Sequence, residues 1–339
     1  MKKSCLLFII LTIICITQIS CGNSSRVQPL VRQADLDPRQ SAASPSLRGS
    51  LDTVCAEDVT VHGKFLYVAD GPGGLLVVDA SSPSKLMLRE SIASTYAFRV
   101  YINQDHLYLC DGPAGLKVYS LEEPSKPELV YAHDSYWAEA IAFANGYLYL
   151  ADYYEGIKIF QLDGTGVPIT VEDRDIARAR DIIIDGRTML VSDHVFGLVV
   201  YDMNSPTDFW WTYNESDLFA NFEGIVSSDG YTIIARNDEN STLSVFKTSD
   251  AYNIELVDEF HPVRYISGIT GNDELLVAAC GDEGVLAFDM KDPTAMELLW
   301  VIHTNGFARR AKAKGKFLYV ADMAGIGIYE IDGLAGEWE

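Results

Sequence analysis

The stretch FLYVADGPGGLLVVD, residues 65–79, decides the fold, because altered copies of it recur along the chain. Clear copies are HLYLCDGPAGLKVYS from His106, YLYLADYYEGIKIFQ from Tyr147, TMLVSDHVFGLVVYD from Thr188 and FLYVADMAGIGIYEI from Phe317, and two weaker ones surround Arg236 and Cys280. A period of about 42 residues, built of short apolar runs, is typical of a propeller blade rather than a helical solenoid. Seven copies predict an all-β, seven-bladed β-propeller of four-stranded antiparallel blades.

Each repeat divides into four short strands, here called A to D from the channel outward. In the first repeat, Asp58–Val61 is strand A, Lys64–Ala69 strand B, Leu75–Asp79 strand C and Leu86–Ala93 strand D. Val, Ile, Leu, Tyr and Phe fill these runs, and Gly, Pro, Ser, Asp and Asn separate them. Both faces of each sheet are apolar, as expected for a blade packed between two neighbours.

The ends of the repeat array predict how the ring closes. The seventh copy ends after its strand C, at Ile326 to Ile331, and no strand D follows. The segment SPSLRGSLDTV from Ser44 resembles SPSKLMLRESIAS from Ser82, which holds the first strand D. We expect residues 47–54 to supply the missing strand, which removes the open edges of the array. The propeller then spans residues 46–333, and 334–339 form a tail.

The N-terminus has the pattern of an export signal. Lys2 and Lys3 precede an apolar run from Leu6 to Thr17, which predicts a signal peptide over residues 1–20. The run is too short for a stable membrane span. Ile19-Ser20-Cys21-Gly22 resembles a bacterial lipoprotein cleavage site, in which Cys21 becomes the lipidated first residue. A secreted, soluble protein is the alternative.

Residues 21–45 lack a hydrophobic period and are rich in Ser, Gln, Arg and Pro, which predicts a disordered tether behind a lipid anchor. No acidic run follows Cys21, which favours the periplasmic side of the outer membrane of a bacterial cell envelope. The chain carries 26 Lys and Arg against 48 Asp and Glu, a formal charge of −22. That charge repels nucleic acid, so we expect no nucleic-acid partner.

Three strand C segments show a family resemblance. GLLVVDASSPSK from Gly74, GLVVYDMNSPTD from Gly197 and GVLAFDMKDPTA from Gly284 resemble the LVIVD repeat of bacterial extracytoplasmic β-propeller proteins. Five of the seven copies keep an aspartate after strand B, and three keep the Asp-x-x-x-Pro ending. The resemblance implies the propeller fold and export, and it implies no shared chemistry.

The sequence contains none of the usual catalytic or metal-binding signatures, and we expect no cofactor and no metal site. Aspartates after strand B recur in five blades, which favours capping of local backbone N–H groups over a metal site. Their list is Asp70, Asp111, Asp152, Asp193 and Asp322. His133, His261 and His303 share one repeat position, but they fall in different blades and cannot converge on zinc.

Two local features carry smaller expectations. Cys55, Cys110 and Cys280 remain outside the N-terminal segment, and an odd number in separate blades predicts buried fillers without a disulfide. Trp210 and Trp211 are adjacent in a strand D, so blade packing should bury one and leave the other exposed.

The candidate site lies where the D–A loops meet above the central channel, since this region varies most between repeats. Aromatic and basic residues occupy one repeat position there, and charged residues occupy the position two further on. The candidates are Tyr96, Trp137, Arg178, Tyr265 and Phe307, followed by Glu57, Glu139, Arg180, Glu223 and Arg309. Such a set suits a sugar, a peptide or a small anionic ligand; the alternative is that the aromatics pack against adjoining loops and the charges pair with each other.

The leading prediction is a non-enzymatic, membrane-tethered module that binds a protein or glycan partner through this face. The alternative is a hydrolase or lyase acting on a carbohydrate or peptide, with the glutamates as acid and base and Arg180 or Arg309 beside them. The sequence predicts no oligomeric state.

Overall fold

A computed structural model describes residues 45–174, 178–214, 221–237 and 241–331. Within these ranges the chain forms 28 strands in seven four-stranded sheets, and no helix is present. Accordingly, none of these described residues belongs to a helix that could cross a bilayer. The predicted signal peptide, Cys21, the tether up to residue 44 and the tail at 334–339 lie outside the described residues.

The strands follow the repeat, and each blade lists strands A to D in order. Blades 1 to 4 are β2 Asp58–His62, β3 Phe65–Ala69, β4 Leu75–Asp79, β5 Met87–Ile92; β6 Arg99–Asn103, β7 His106–Cys110, β8 Leu116–Ser120, β9 Glu128–His133; β10 Ala138–Ala144, β11 Tyr147–Asp152, β12 Gly156–Leu162, β13 Pro168–Arg174; and β14 Ala179–Asp185, β15 Thr188–Asp193, β16 Gly197–Ser205, β17 Asp208–Asn214. Blades 5 to 7 are β18 Asn221–Ser228, β19 Tyr231–Asn237, β20 Thr242–Lys247, β21 Glu255–Phe260; β22 Gly268–Gly271, β23 Leu275–Ala279, β24 Val285–Asp289, β25 Glu297–Ile302; and β26 Arg310–Lys314, β27 Phe317–Ala321, β28 Gly325–Glu330 with β1 Ser46–Asp52 as strand D.

The predicted closure is confirmed. Strand β1 pairs antiparallel with β28, from Ser46 opposite Glu330 to Asp52 opposite Gly325. The seventh sheet therefore has the order β1-β28-β27-β26 and joins the first and last described strands in one blade. Each strand A also contacts the strand A of both neighbouring blades, so the sheets form an unbroken ring.

The hydrophobic core is divided among the seven junctions between blades. Each buried apolar cluster draws its side chains from two adjacent sheets. Strand B supplies both of its faces, as in β3, where all five residues are buried. Because side chains alternate across a strand, a fully buried strand requires apolar residues at every position. The repeat FLYVA satisfies this, which explains why the sequence shows runs rather than alternation.

The cysteines and tryptophans depart from expectation in part. Cys110 and Cys280 are buried and free, as predicted. Cys55 is buried but disulfide-bonded, so the prediction of no disulfide was wrong. Trp210 and Trp211 are both exposed, at 44% and 57%. The prediction that one is buried fails because β17 is an outermost strand.

Candidate functional site

The upper face carries the D–A and B–C loops, and the lower face carries the A–B turns and C–D loops. Five aspartates hold the upper loops in place. Asp70 accepts hydrogen bonds from Val54 N at 3.0 Å and Cys55 N at 2.7 Å. Asp193 accepts from Arg178 N, Val195 N and Phe196 N at 2.7 to 2.9 Å. The aspartates of blades 2, 3 and 7 bind loop N–H groups in the same way. The capping role predicted for these residues matches this geometry.

Three charged candidates reach the channel through β-bulges in consecutive blades. The strand registers skip one residue of β10, β14 and β18, and the skipped residues are Glu139, Arg180 and Glu223. A bulge leaves its extra residue unpaired and re-aims its side chain. The three side chains therefore meet at the channel mouth although they lie 41 and 43 residues apart.

Arg180 binds both glutamates of this group. Its Nη1 lies 3.3 Å from Glu139 Oε1, its Nη2 lies 3.1 Å from Glu223 Oε1, and its Nε donates to Phe222 O at 3.2 Å. Burial raises the pKa of Glu139, and Arg180 opposes that shift only in part. Burial disfavours the Arg180 cation, but the two carboxylates outweigh it and raise the pKa of Arg180. One guanidinium thus neutralises much of a doubly acidic site.

A second charged group joins blades 7, 1 and 2. Arg309 Nε lies 2.7 Å from Glu57 Oε2, and Tyr96 OH donates to Glu57 Oε1 at 2.6 Å. Glu57 is 4% exposed, so both partners hold a carboxylate that is almost out of water. Burial raises the pKa of Tyr96, and the adjacent Glu57 raises it further.

Another set of charged residues lies one residue further along strand A in blades 2, 4 and 7. Arg99 Nη1 of blade 2 binds Asp181 Oδ1 of blade 4 at 2.7 Å, reaching past blade 3. Arg310 Nη1 donates to Ser267 O at 2.7 Å. A Cβ on Gly268 would lie only 2.0 Å from Arg310 Nη1, so the glycine makes room for the guanidinium. Repeat positions alone did not identify these pairs.

The aromatic candidates also lie at the mouth, in pairs. The rings of Tyr96 and Trp137 are 6.3 Å apart, and those of Tyr265 and Phe307 are 5.4 Å apart. The carboxylate of Glu223 raises the pKa of Tyr265 to about 12, with burial adding to the effect. The structure therefore brings the predicted aromatic and charged residues to one mouth, largely as contacts with one another.

Around the candidates Trp137 and Arg178, blades 3 and 4 carry further residues, most of them aromatic, that the repeat analysis did not assign to the site. The group, here called the blade 3–4 patch, consists of Tyr136, Trp137, Tyr153, Tyr154, Arg178, His194 and Phe196. Tyr154 lies 5.4 Å from Tyr136 and 4.8 Å from Tyr153, and the Arg178 guanidinium is 5.9 Å from the Tyr153 ring. Tyr136 is 67% exposed and Tyr154 56%. Tyr136 and Tyr154 therefore offer aromatic surface to solvent.

The patch forms because the B–C turns of these two blades differ from the others. In blades 1, 2 and 6 the turn starts with a glycine at positive φ, and its backbone bonds to the next blade, as Gly71 does with Ala97. Met323 and the side chain of Asn237 make the same link from blades 7 and 5. Tyr153 and His194 replace the glycine and bond within their own blades, to Trp137 O and Arg178 O. The signal in the sequence was YYEG and HVFG in place of GPGG.

Burial perturbs two titratable groups of the patch, since it raises the pKa of Tyr153 and acts on His194 in the opposite direction. Burial lowers the pKa of His194, and the nearby Arg180 and Arg178 lower it further. Its Nδ1 is buried and has no hydrogen-bond partner among the described residues. The imidazole is therefore neutral at pH 7, with one ring nitrogen unsatisfied.

No metal centre is formed by the described residues, in which no three His, Cys, Asp or Glu side chains converge. The three histidines that share a repeat position are indeed separate. His133 packs on the Phe160 ring, with centroids 5.1 Å apart, and His261 Nδ1 lies 3.0 Å from Thr242 Oγ1.

Comparison with known proteins agrees with the fold. The LVIVD repeat model matches residues 55–94, which cover blade 1, and residues 305–329, which cover most of blade 7. No curated protein matches. Among solved structures, "Crystal structure of RRP9 WD40 repeats" is similar with a TM-score of 0.64 at 11% identity, over 86% of this chain and 99% of that one. At that identity the likeness shows the fold alone. The chain therefore has LVIVD repeats in a seven-bladed propeller.

Proposed function

We propose that this LVIVD-repeat propeller is an exported, lipid-anchored and non-enzymatic binding module whose protein or glycan partner docks on the upper face at the blade 3–4 patch. The observation that supports this proposal is a difference between the charged and the aromatic residues of that face. The charged mouth residues bind one another, whereas Tyr136, Tyr154 and Phe196 remain exposed, and the Arg178 guanidinium lies over the Tyr153 ring of the same patch. Tyrosine, tryptophan and arginine are the residues that dominate binding energy at interfaces.

The tethered location rests on the N-terminal sequence. Lys2, Lys3 and the apolar run up to Thr17 support export, and Ile19-Ser20-Cys21-Gly22 supports lipidation at Cys21. Expression with a radiolabelled fatty acid should label the wild type and not Cys21→Ala. An unlabelled wild type would refute the anchor and leave the upper-face proposal in place.

Binding is tested with the full protein on a glycan array and by crosslinking to proteins of the cell envelope. The double variant Tyr136→Ser and Tyr154→Ser removes two exposed rings from the patch. Its matched control is Leu88→Ser and Leu129→Ser, which are 53% and 51% exposed on outer strands. We expect the patch variant to lose a partner that the control retains. If both variants keep the same partners as the wild type, the patch is not the binding surface.

A hydrolase or lyase at the mouth is the second candidate, since the raised pKa of buried Glu139 suits a general acid. The geometry favours it less, because Arg180 already holds both Glu139 and Glu223. A Glu139→Gln protein that retains all partner binding, but loses turnover of a bound glycan or peptide, would establish this alternative.

A further inference from the structure

A second candidate site lies on the lower face, far from the patch. A cleft of about 240 Å³ opens between blades 2 and 3, bounded by the A–B turns of both blades and the C–D loop of blade 3. Three carboxamides, two aromatic rings and one leucine provide most of its lining. They are Asn103, Gln104, Asn145, Phe143, Tyr147 and Leu162.

The cleft exists where the blade 3 loop departs from the repeat. In two other junctions a strand B tyrosine donates to a proline carbonyl of the next C–D loop, from Tyr67 to Pro124 O and from Tyr149 to Pro206 O. Tyr108 makes the same bond to Gly166 O at 2.5 Å. Glycine keeps the carbonyl but lacks the pyrrolidine ring that fills this position elsewhere. The junction therefore keeps its hydrogen bond and gains open space.

The two turns beside the cleft carry side chains where blades 1, 4 and 7 have glycine. The first turn residue has positive φ in six of the seven blades, and it is Gly63, Gly186 and Gly315 in blades 1, 4 and 7. In blades 2 and 3 it is Gln104, with φ 53°, and Asn145, with φ 52°. Asparagine tolerates this conformation, but glutamine is disfavoured there. A residue held in an unfavourable conformation at a cleft is a reason to look for function.

A buried nitrogen next to Gly166, one of the residues that line the cleft, lacks a partner. His106 is 8% exposed, and its Nδ1 forms no hydrogen bond within the described residues. A Cβ built on Gly166 would lie 3.5 Å from His106 Nδ1 and 3.6 Å from Gln104 Oε1. The unsatisfied nitrogen of His106 and the carboxamide of Gln104 thus both lie close to Gly166. Buried polar atoms without a partner are rare in native proteins and call for a water or a ligand.

The lining selects a neutral ligand rich in hydroxyl groups. It contains no lysine or arginine, and its one carboxylate, Asp163, is occupied by Thr165, Gly166 and Val167 of its own loop. Carboxamides both donate and accept, as hydroxyl groups do, and the aromatic edges offer contact to C–H groups. The volume equals about eight water molecules at roughly 30 Å³ each. We propose that this cleft binds one neutral sugar residue, with Gln104 and Asn145 bonding its hydroxyls.

The test uses the full protein and three neutral probes, methyl β-glucoside, methyl β-galactoside and N-acetylglucosamine, in saturation-transfer NMR titrations. The double variant Gln104→Gly and Asn145→Gly removes both carboxamides. Because glycine adopts positive φ without strain, this variant should fold as well as the wild type. Asp229→Gly is the matched control, since Asp229 occupies the same turn position in blade 5, with φ 46°. His106→Phe tests the unpartnered nitrogen.

We expect at least one probe to bind, the double variant to bind it at least tenfold more weakly, and His106→Phe to weaken it at least threefold. Asp229→Gly and the Tyr136→Ser, Tyr154→Ser protein should bind as the wild type does. If no probe binds, or if the double variant and Asp229→Gly behave alike, the cleft is not a sugar site. Because it faces away from the patch, either outcome leaves the upper-face proposal to its own experiment.

Discussion

Replacing Arg180 with methionine tests whether the channel mouth is held together by its own charges. The substitution keeps most of the side-chain length and removes the cation between Glu139 and Glu223. Removing one partner of a buried ion pair costs about 3–5 kcal/mol, because the other charge stays buried. The Arg180 side chain is 21% exposed, so part of this loss is screened by solvent. We expect a loss of about 2–3 kcal/mol in the free energy of unfolding.

The companion variant combines Glu139→Gln, Arg180→Met and Glu223→Gln, which removes the charges together. Replacing a whole buried ion cluster is often neutral or stabilising, so this protein should be more stable than Arg180→Met alone. Urea denaturation at pH 7.5, followed by tryptophan fluorescence, measures all three proteins. A loss below about 1 kcal/mol for Arg180→Met would refute the reasoning, since it falls well outside the buried-pair range. A triple variant as unstable as the single one would do so too.

Three other predictions concern pH, the loop caps and the closure. Burial raises the pKa of Glu139 above its usual 4.5, so the folded state holds this proton at a pH where the unfolded state has lost it. The free energy of unfolding of the wild type, relative to that of Glu139→Gln, should therefore fall as pH rises from 4.5 through the raised pKa. Urea titrations in which this difference stays constant, or changes in the opposite direction, would contradict the raised pKa of Glu139. Asp193→Ala removes the acceptor of three loop N–H groups and should lower the free energy of unfolding by about 2–4 kcal/mol. The control Asp105→Ala, at an exposed position, should lower it by under about 0.5 kcal/mol in the same thermal denaturation experiment. Equal losses in the two variants would show that Asp193 does not stabilise the loop. Deleting residues 45–52 exposes the edge of β28 and should shift the protein into aggregate in size-exclusion chromatography, and a folded variant that elutes as the wild type does would contradict this.

The propeller architecture could be predicted from the sequence because the pattern of strands and turns repeats along the chain. Each strand B copy, such as FLYVA at Phe65, is buried on both faces, so its apolar run survives as a readable signal. The segments at Ser44 and Ser82 resemble each other because each forms a strand D, and this resemblance predicted how the ring closes. The aspartates after strand B also recur at fixed spacing, and local capping explains all five.

The site could be located from the sequence but its pairing could not. Variation between blades at Trp137, Arg180 and Glu223 marked the channel mouth. Which charges meet depends on bulges that shift the register of β10, β14 and β18 by one residue, and no residue type announces these bulges. Arg309 and Glu57 are 252 residues apart and become neighbours only because the ring closes.

Local rules also failed where the environment of a strand decided the outcome. Alternation predicts one buried and one exposed tryptophan at 210 and 211, yet both are exposed because β17 lies at the rim, where adjacent blades have moved apart. Trp210 Nε1 instead donates to the Tyr252 hydroxyl, 3.1 Å away in blade 5. The cleft between blades 2 and 3 likewise depends on one glycine in a loop, which the repeat pattern treats as ordinary variation.

The pairing of β1 with β28 sets the order of events during synthesis. Among the described strands β1 leaves the ribosome first, yet β28, the strand with which it pairs, is complete only at Glu330. The first-made strand therefore waits unpaired while six complete sheets accumulate behind it, and contacts between such distant segments form slowly. A nascent chain that ends before residue 325 contains the earlier blades but lacks β28, so β1 has no strand with which to close the ring.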